Sequence, residues 1–484
     1  MLRFLAVLLT FLAGTGAATA ADARPNIVWI FVDDMSANFS CYGEKTIQTP
    51  HVDRMAAEGT RFSRAFVTAP VCSPCRSALI TGMYQTSIGA HHHRSGRGVE
   101  KIHLPDGVDP VPVLFQRAGY YTCNSGWPVG KNFGKTDYNF EWDRQMYDGN
   151  DWSERRPGQP FFAQIQLPGG KYRGNNGLAA NVRQTLDTFV DPDKVRLPPY
   201  YPDDPVIRRD WAWYLDTVRY TDWQVGQILQ RLDEEKLLDD TVVFFMTDHG
   251  ISHARGKQFL YEEGIQVPFV ARGPRIDKGK VRADLVEHID MAAMSLGLAG
   301  IDIPKTMQGK NVLANDYVPR DVVFAARDRC DETVEHMRAV RGERFKYIRN
   351  FLPQRPHLQP NRYKDDKAII QSLRALHAAG KLNELPERLL FAPTRPAEEL
   401  YDLQSDPFEL KNLAVDPKYR KTLEELRQRL EQWMEATNDH GRQPESAAMY
   451  DSDMAVYLQG KQGDQGNILR QNIALMKQWA KEGK

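Results

Sequence analysis

The stretch from Cys72 to Arg76 reads Cys-Ser-Pro-Cys-Arg, which combines a potential nucleophile with a fixed positive charge. Pro74 restricts its own backbone, and the apolar run that starts at Arg76 can begin a helix. A helix N-terminus offers unpaired N–H groups and a positive dipole end, both of which favour a group that holds or becomes an anion. The spacing therefore indicates nucleophilic chemistry at Cys72.

A second interpretation pairs Cys72 with Cys75 as a Cys-x-x-Cys unit, either a redox disulfide or half of a metal site. The sequence has no second pair of cysteines at the spacing of a zinc site. The nucleophile is therefore the better interpretation of the motif.

Acidic side chains follow the two most apolar runs of the chain. Asp33-Asp34 comes after residues 27–32, and Asp248-His249 comes after residues 241–247. Such runs are typical of strands buried in a parallel sheet, and open α/β sheets bind ligands at the carboxyl ends of their strands. Adjacent carboxylates near a core need a divalent cation, and hard oxygen ligands suit Ca²⁺ or Mg²⁺. A solvated Asp-Asp turn is the alternative for residues 33–34.

At Cys72, Pro74 and Arg76, with Thr81-Gly82 closing the run, the chain resembles the type I, formylglycine-dependent sulfatases of the alkaline phosphatase superfamily. The resemblance implies that a formylglycine-generating maturation enzyme converts Cys72 to Cα-formylglycine (3-oxoalanine). Its hydrated aldehyde is the expected nucleophile and also a ligand of the bound Ca²⁺ or Mg²⁺.

The same resemblance assigns charged residues to the sulfate. Arg76, Lys131 of the Gly130-Lys131 element, and Lys257 before Tyr-Glu-Glu-Gly-Ile are the expected catalytic cations. His253 is a candidate proton donor. The expected metal ligands are Asp33, Asp34, Cys72, Asp248 and His249.

Two departures from the family pattern concern the acid that protonates the leaving group. Asn132-Phe133 stands where a Trp-His pair is usual, and Lys171 stands near the place of a second usual histidine. We therefore expect Lys171 to bind substrate. His91, in the tract of three histidines before Arg94, is the second expected substrate-binding residue, in a basic loop beside the pocket. A metal tract or an unengaged surface loop are the alternatives.

The predicted fold class is α/β. At 484 residues the chain exceeds the size of a single core. We expect a large domain over residues 24–335, with a mostly parallel mixed sheet sandwiched by helices. Alternating residues after 336 predict a smaller C-terminal α+β domain with an antiparallel sheet, over residues 336–484. The last fifty residues match no pattern.

The balance of charged residues bears on which partners the protein could bind. Lys plus Arg and Asp plus Glu are equal at 63 each, so bulk charge gives no argument for nucleic acid or an anionic membrane as a partner.

Residues 1–20 have the basic start, apolar run and small-residue cleavage site of a secretory signal, with an apolar run too short to span a bilayer. An exported protein, periplasmic or secreted, is expected. If Cys72 is converted, four cysteines remain, and their pairing stays open.

The predicted function is hydrolysis of sulfate esters or sulfamates on a sulfated carbohydrate, such as a glycosaminoglycan. The Gly-Lys-x-x-Gly arrangement without Trp-His resembles the heparan N-sulfatase branch. One alternative is a phosphodiesterase or phosphonate monoester hydrolase of the same superfamily. Another is a catalytically silent carbohydrate-binding relative.

Overall fold

The computed structural model describes residues 24–173 and 178–484, so the signal predicted at residues 1–20 lies outside the described residues. The strands in this part are β1 (Asn26–Val32), β2 (Gly59–Phe66), β3 (Tyr121–Ser125), β4 (Phe161–Leu167), β5 (Thr241–Thr247), β6 (Gln266–Arg272), β7 (Lys280–Glu287), β8 (Val322–Arg327), β9 (Met337–Gly342), β10 (Phe345–Asn350) and β11 (Glu398–Asp402). The α-helices are α1 (Pro50–Ala57), α2 (Cys72–Thr81), α3 (Val111–Arg117), α4 (Leu178–Thr185), α5 (Pro205–Glu234), α6 (Glu262–Ile265), α7 (Asp290–Leu298), α8 (Arg362–Asp365), α9 (Ala368–Ala378), α10 (Glu384–Pro386), α11 (Arg420–Ala436), α12 (Ala447–Leu458) and α13 (Gly463–Lys481).

The large sheet has seven strands in the order β3-β4-β1-β5-β6-β2-β7. The pairs β3/β4, β4/β1, β1/β5 and β2/β7 are parallel, whereas β6 pairs antiparallel with both β5 and β2. Every residue of β1 and β5 is buried, as their continuous apolar runs predict. Val32 lies opposite both Leu167 and Thr247, so the carboxyl ends of β4, β1 and β5 reach the same edge of the sheet.

The second sheet is antiparallel, in the order β11-β10-β9-β8. Helix α11 packs on it through apolar residues at helical spacing, namely Leu423, Leu426, Leu430 and Trp433. The mixed, mostly parallel sheet and the separate antiparallel sheet confirm the predicted fold class. Strand β8 pairs with β9 from Val322 to Arg327, so the small sheet begins before residue 336, the start predicted for the second domain.

The last fifty residues, which sequence patterns left unassigned, form α12 and α13. These helices share a small core of Tyr450, Met454, Leu469, Ile473 and Met476. Helix α12 also contacts the long loop between α2 and α3. There the backbone N–H of Glu100 donates to Oγ of Ser452 at 3.1 Å. This contact joins the C-terminal helices to the large domain.

Cysteine pairing and hydropathy give two further results. All five cysteines of the chain are free, so none forms a disulfide. Within residues 24–173 and 178–484, no helix combines the length and the apolar character that crossing a membrane requires.

Candidate active site

The two acidic strand ends meet at the edge of the large sheet. The N–H of Asp248 donates to the carbonyl of Val32 at 2.8 Å, and the N–H of Asp34 donates to Oδ1 of Asp248 at 2.9 Å. Asp34 adopts a left-handed backbone, with φ of 56°, which turns the chain sharply after β1. Parallel pairing of β1 and β5 thus brings together carboxylates that are 214 positions apart.

Helix α2 presents Cys72 to these carboxylates. The helix begins at Cys72, four residues before the start predicted at Arg76. Pro74 lies in the first turn, where its missing N–H costs no intrahelical hydrogen bond. The helix ends at Gly82, which has φ of 63° and donates its N–H to the carbonyl of Leu79 at 3.2 Å. Cys72 is therefore the first residue of the helix.

Four buried side chains form a group with the geometry of a cation site: Asp34, Cys72, Asp248 and His249, with ligand atoms that all lie within 4.8 Å of one another. Nδ1 of His249 donates to the carbonyl of Gly250 at 2.9 Å, so the lone pair of Nε2 faces Sγ of Cys72 at 3.2 Å. Oδ2 of Asp248 is buried without a hydrogen-bond partner. Nε2 of His249 is 3.3 Å from the other oxygen of Asp248, Oδ1. A carboxylate with one unpaired oxygen next to an imidazole fits a divalent cation.

Asp33, also predicted as a metal ligand, lies beside this group and faces three cations instead. Nη2 of Arg76 is 2.5 Å from its Oδ1, Nζ of Lys135 is 3.1 Å from its Oδ2, and Lys171 also donates to Oδ2. Burial raises the pKa of Asp33, but Lys135, Lys171 and Arg76 outweigh that effect and hold the pKa well below its ordinary value. The predicted substrate residue Lys171 therefore lies in the site.

Lys257 completes the positive lining. Its Nζ is 3.0 Å from Oδ1 of Asp34 and 3.3 Å from Sγ of Cys72. Burial would raise the pKa of the Cys72 thiol, but the three lysines Lys135, Lys171 and Lys257 hold it well below its ordinary value. Position 72 is thus a place where negative charge is strongly stabilised.

Lys131 does not reach this cluster. It is exposed, and its carbonyl accepts a hydrogen bond from Asn150 at 2.7 Å. Lys135, from a second Gly-Lys pair four residues later, lies at the cluster because Gly134 is held against β3. The N–H of Gly134 donates to the carbonyl of Asn124 at 3.0 Å, and the Asn124 side chain donates back at 2.8 Å. The repeated Gly-Lys pair was the only sequence signal for Lys135.

The two predicted histidines also lie elsewhere. His253 is fully buried, and its Nε2 faces Asp210 at 3.2 Å and Arg173, while its ring stacks on Trp211. Burial and Arg173 lower the pKa of His253 to about 4. His91 is buried against the ring of His92. These contacts assign both histidines to the protein interior and not to the nucleophile.

Tyr363 is a site residue that sequence patterns missed. Its hydroxyl donates to Oδ2 of Asp34 at 2.8 Å, although the two residues are 329 positions apart. Helix α8 brings it there, because Nζ of Lys364 donates to the carbonyls of His253 and Lys257 at 2.7 and 2.9 Å. A single tyrosine in the C-terminal part of the chain carries no local signal for this role.

The arrangement defines a class of protein. A nucleophile position at a helix N-terminus, a carboxylate-imidazole site for a divalent cation and four fixed cations suit attack on an ester of a tetrahedral oxyanion, such as sulfate or phosphate. The fold and the site are those of a hydrolase of anionic esters built on a mostly parallel mixed sheet.

Comparison with known proteins identifies the family. The sulfatase family model matches residues 25–301, and the C-terminal model of N-sulphoglucosamine sulphohydrolase matches residues 249–365. The chain belongs to the sulfatase family and is a sulfuric ester hydrolase.

Its relatives include an ulvan-active sulfatase of Formosa agariphila, 34% identical over 87% of this chain and 77% of the relative. The human N-sulphoglucosamine sulphohydrolase is 28% identical over 86% of this chain and 91% of the relative. A sulfatase-type crystal structure from Bacteroides thetaiotaomicron shares the fold, with a TM-score of 0.65 and 21% identity over 88% of this chain and 96% of that structure.

Proposed function

We propose that this sulfatase removes sulfate from a sulfated carbohydrate, as an O-sulfate ester or a sulfamate. The observation that carries the proposal is the convergence of Arg76, Lys135, Lys171 and Lys257 on the buried end of α2 in a chain of the sulfatase family. The names of two relatives support the substrate class, since one acts on ulvan and the other on N-sulphoglucosamine.

The fixed cations have a direct catalytic role in this proposal. A sulfate monoester brings negative charge that shifts between sulfuryl oxygens and the leaving oxygen as the S–O bond breaks. Lysine and arginine side chains already held in place stabilise that charge without reorganising during the reaction. Their low exposure strengthens each interaction, because water competes less: the side chains of Arg76 and Lys257 are both 3% exposed.

The group of four side chains would hold a divalent cation, Ca²⁺ or alternatively Mg²⁺. Asp34, Asp248 and His249 would be its ligands together with residue 72, and Asp33 adjoins them. Such a cation supplies Lewis-acid stabilisation to a sulfuryl oxygen. The hydrogen bond from His249 to the Gly250 carbonyl orients the imidazole for this role.

Cys72 would be converted to formylglycine by a maturation enzyme, and the modified residue supplies the nucleophile. Lys257 and Lys171 then stabilise negative charge at this position, as they do for the thiol. The proton for the leaving group has to come from a group that faces the pocket. Nζ of Lys171 and the hydroxyl of Tyr363 face it, whereas His253 does not.

Export is proposed from the N-terminal segment. Residues 1–20 carry the features of a cleavable secretory signal. N-terminal sequencing of the protein recovered from the producing cell tests this, and a mature protein that begins at Met1 contradicts it.

Sulfate release tests the proposed activity. Purified protein should release sulfate from ulvan oligosaccharides or N-sulfoglucosamine and should hydrolyse an aryl sulfate faster than an aryl phosphodiester. Cys72→Ala should remove turnover while circular dichroism stays unchanged. Preference for the phosphodiester or a phosphonate ester would instead support the phosphodiesterase alternative. Absence of any turnover with an unmodified Cys72 would support the silent carbohydrate-binding relative.

Two measurements test the proposed cofactors. Peptide mass spectrometry of active enzyme should find formylglycine at position 72, and a fully active preparation carrying only cysteine rules it out. Dialysis against EDTA should abolish activity, and added Ca²⁺ should restore it. Full activity in a chelated, metal-free sample would show that the cation is not needed.

A further inference from the structure

A second polar cluster lies beside the nucleophile and is used by none of the steps above. Asp331, in the loop between β8 and β9, is 4% exposed, and its Oδ1 has no hydrogen-bond partner. Nε2 of His93 is 3.5 Å from this oxygen, and Nη1 of Arg94 is 3.8 Å from it. Both distances exceed a normal hydrogen bond, so the carboxylate keeps free acceptor capacity. A buried carboxylate oxygen in this state can accept a hydrogen bond from a ligand.

The cluster is fixed directly to the start of α2. The backbone N–H of Arg94 donates to Oγ of Ser73 at 2.8 Å, and Nδ1 of His93 is 3.1 Å from the same Oγ. Since Ser73 follows Cys72, short hydrogen bonds set the positions of His93 and Arg94 relative to the nucleophile. The N–H of His93 donates to the carbonyl of Arg329 at 2.8 Å, two residues before Asp331. A substrate held at position 72 therefore lies next to this cluster.

Arg94 is the available cation of the cluster. Its side chain is 46% exposed. Burial lowers the pKa of this guanidinium, but Asp331 and Asp137 raise it more. Cys72 and Tyr457 raise this pKa further. A half-exposed guanidinium at this place is suited to a second anionic group of the substrate.

Helix α12, which carries Tyr457, forms the outer side of the cluster. The hydroxyl of Tyr457 accepts a hydrogen bond from Nη2 of Arg362 at 3.3 Å. The backbone N–H of Arg362 donates to Oε1 of Glu332, the residue after Asp331, at 2.7 Å.

Buried Arg329 links the cluster to α12. It donates to the carbonyls of His93 and Asp331 at 3.2 and 2.9 Å, and to Oδ2 of Asp453, on α12, at 2.6 Å. The two matching family models end at residues 301 and 365, so α12 lies outside both.

A metal ion is a poorer occupant of this cluster than a hydrogen-bonding ligand. His93, Cys330 and Asp331 are close enough together to hold an ion. However, burial and Asp331 raise the pKa of the Cys330 thiol, so the sulfur keeps its proton. Hydroxyl groups, which donate to a carboxylate, match the unpaired oxygen of Asp331 better.

We propose that Arg94, Asp331 and Tyr457 form a subsite for a sugar unit that carries a second anionic group. Asp331 accepts hydrogen bonds from the ring hydroxyls, Arg94 pairs with a carboxylate or a further sulfate, and Tyr457 contacts the outer edge of the ring. The proposal rests on the proposed carbohydrate sulfatase function. It assigns specificity for an acidic sugar to residues that take no part in the chemistry at sulfur.

The test compares a sulfated uronic-acid oligosaccharide with 4-nitrophenyl sulfate, which is too small to reach the subsite. In Arg94→Ala, Asp331→Asn and Tyr457→Phe, kcat/KM for the oligosaccharide should fall, by roughly 10- to 100-fold for the two charged residues, as expected for one hydrogen bond to a charged group. The kcat/KM for the aryl sulfate should stay within about threefold. Arg470→Ala, an exposed arginine of α13, is the matched control and should leave both substrates unaffected.

Equal losses on both substrates, or no loss on the oligosaccharide, would overturn the subsite. A wild-type enzyme without activity on any sulfate ester would contradict the proposed function itself. A carboxyl-reduced oligosaccharide identifies the anion. If the partner of Arg94 is the uronate carboxylate, the effect of Arg94→Ala disappears on the reduced substrate; if it is a second sulfate, the effect persists.

Discussion

At the scale of single residues, the site depends on which of two similar lysines reaches Asp33. Nζ of Lys135 lies 3.1 Å from Oδ2 of Asp33, whereas Lys131 is exposed. Lys135 also contributes to the low pKa of both Asp33 and Cys72. One preformed cation beside the reacting group is a large part of the electrostatic stabilisation that such a site provides.

We predict that Lys135→Ala lowers kcat on an aryl sulfate by about 10²- to 10³-fold, the usual cost of removing one preorganised charge-stabilising donor. Lys131→Ala, the matched control from the neighbouring Gly-Lys pair, should retain wild-type kcat. Steady-state kinetics of both variants give the answer. If the two variants lose activity to the same extent, Lys135 has no special role.

Sequence alone could predict the residues whose role follows from their local surroundings. Asp34, Asp248 and His249 end buried strands, and Arg76 follows Cys72 at fixed spacing; the structure brings all of them together. The choice between two Gly-Lys pairs could not be made, because only the contact of Gly134 with β3 decides it.

At the scale of secondary-structure elements, close backbone approach positions His249, one of the proposed metal ligands. Gly250 follows His249, and its N–H donates to the carbonyl of Gly264 at 2.9 Å. A Cβ on Gly250 would lie 1.7 Å from the carbonyl oxygen of Glu263 and 2.8 Å from Oγ of Ser36. The chain after β5 can therefore pack against α6 only with glycine at this position.

Gly250→Ala is predicted to lower the free energy of unfolding by about 1–3 kcal/mol or more, because the backbone of α6 or the strand end has to move. Gly130→Ala is the control, since nothing lies within 4 Å of its added Cβ. Urea unfolding of the two variants measures the difference. A Gly250→Ala protein as stable as Gly130→Ala would show that this contact relaxes without cost.

Helix α8 shows why part of the site could not be predicted from sequence. The alternating strands and the amphipathic helix α11 have periodic patterns, and the antiparallel sheet was predicted from them. Helix α8 has only four residues and no period, and its position depends on Lys364 and on Asn361, which contacts Gln258 at 3.4 Å. The role of Tyr363 is therefore visible only in three dimensions.

At the scale of the whole molecule, a buried ion pair holds the chain beyond α11 on the small sheet. Nε and Nη2 of Arg338, on β9, are 2.6 and 3.0 Å from the two carboxylate oxygens of Asp439, and both side chains are fully buried. The backbone N–H of His440 continues the contact to the large domain, with a 3.0 Å hydrogen bond to the carbonyl of Thr86. The two sheets and the C-terminal helices thus share one buried junction.

Asp439→Ala should lower the free energy of unfolding by about 1.5–3 kcal/mol, because it removes both hydrogen bonds from Arg338 to this carboxylate and leaves the buried guanidinium with Asp328 alone, at 3.2 Å. Glu424→Ala removes the exposed pair with Arg420 on α11 and should cost about 0.5 kcal/mol or less. Denaturant unfolding of both variants checks this. A loss for Asp439→Ala no larger than that for the exposed control would contradict the role of the junction.

The pH dependence of the same pair has a definite sign. Burial raises the pKa of Asp439, but Arg338 lowers it more, so the folded value lies below the ordinary 3.8. The contribution of the pair to stability is therefore complete above about pH 4 and is lost as the pH falls further. The difference in stability between wild type and Asp439→Ala should narrow in acid, and a constant difference would contradict the assignment.

The contact between Tyr363 and Asp34 also sets an order of events during synthesis. A ribosome that has just completed the large sheet has not yet made the helix that supplies Tyr363, 329 positions after Asp34. In the finished fold Cys72 is only 3% exposed. The proposed conversion of Cys72 by a maturation enzyme therefore needs access to a side chain that the folded protein buries, which favours conversion before α8 docks.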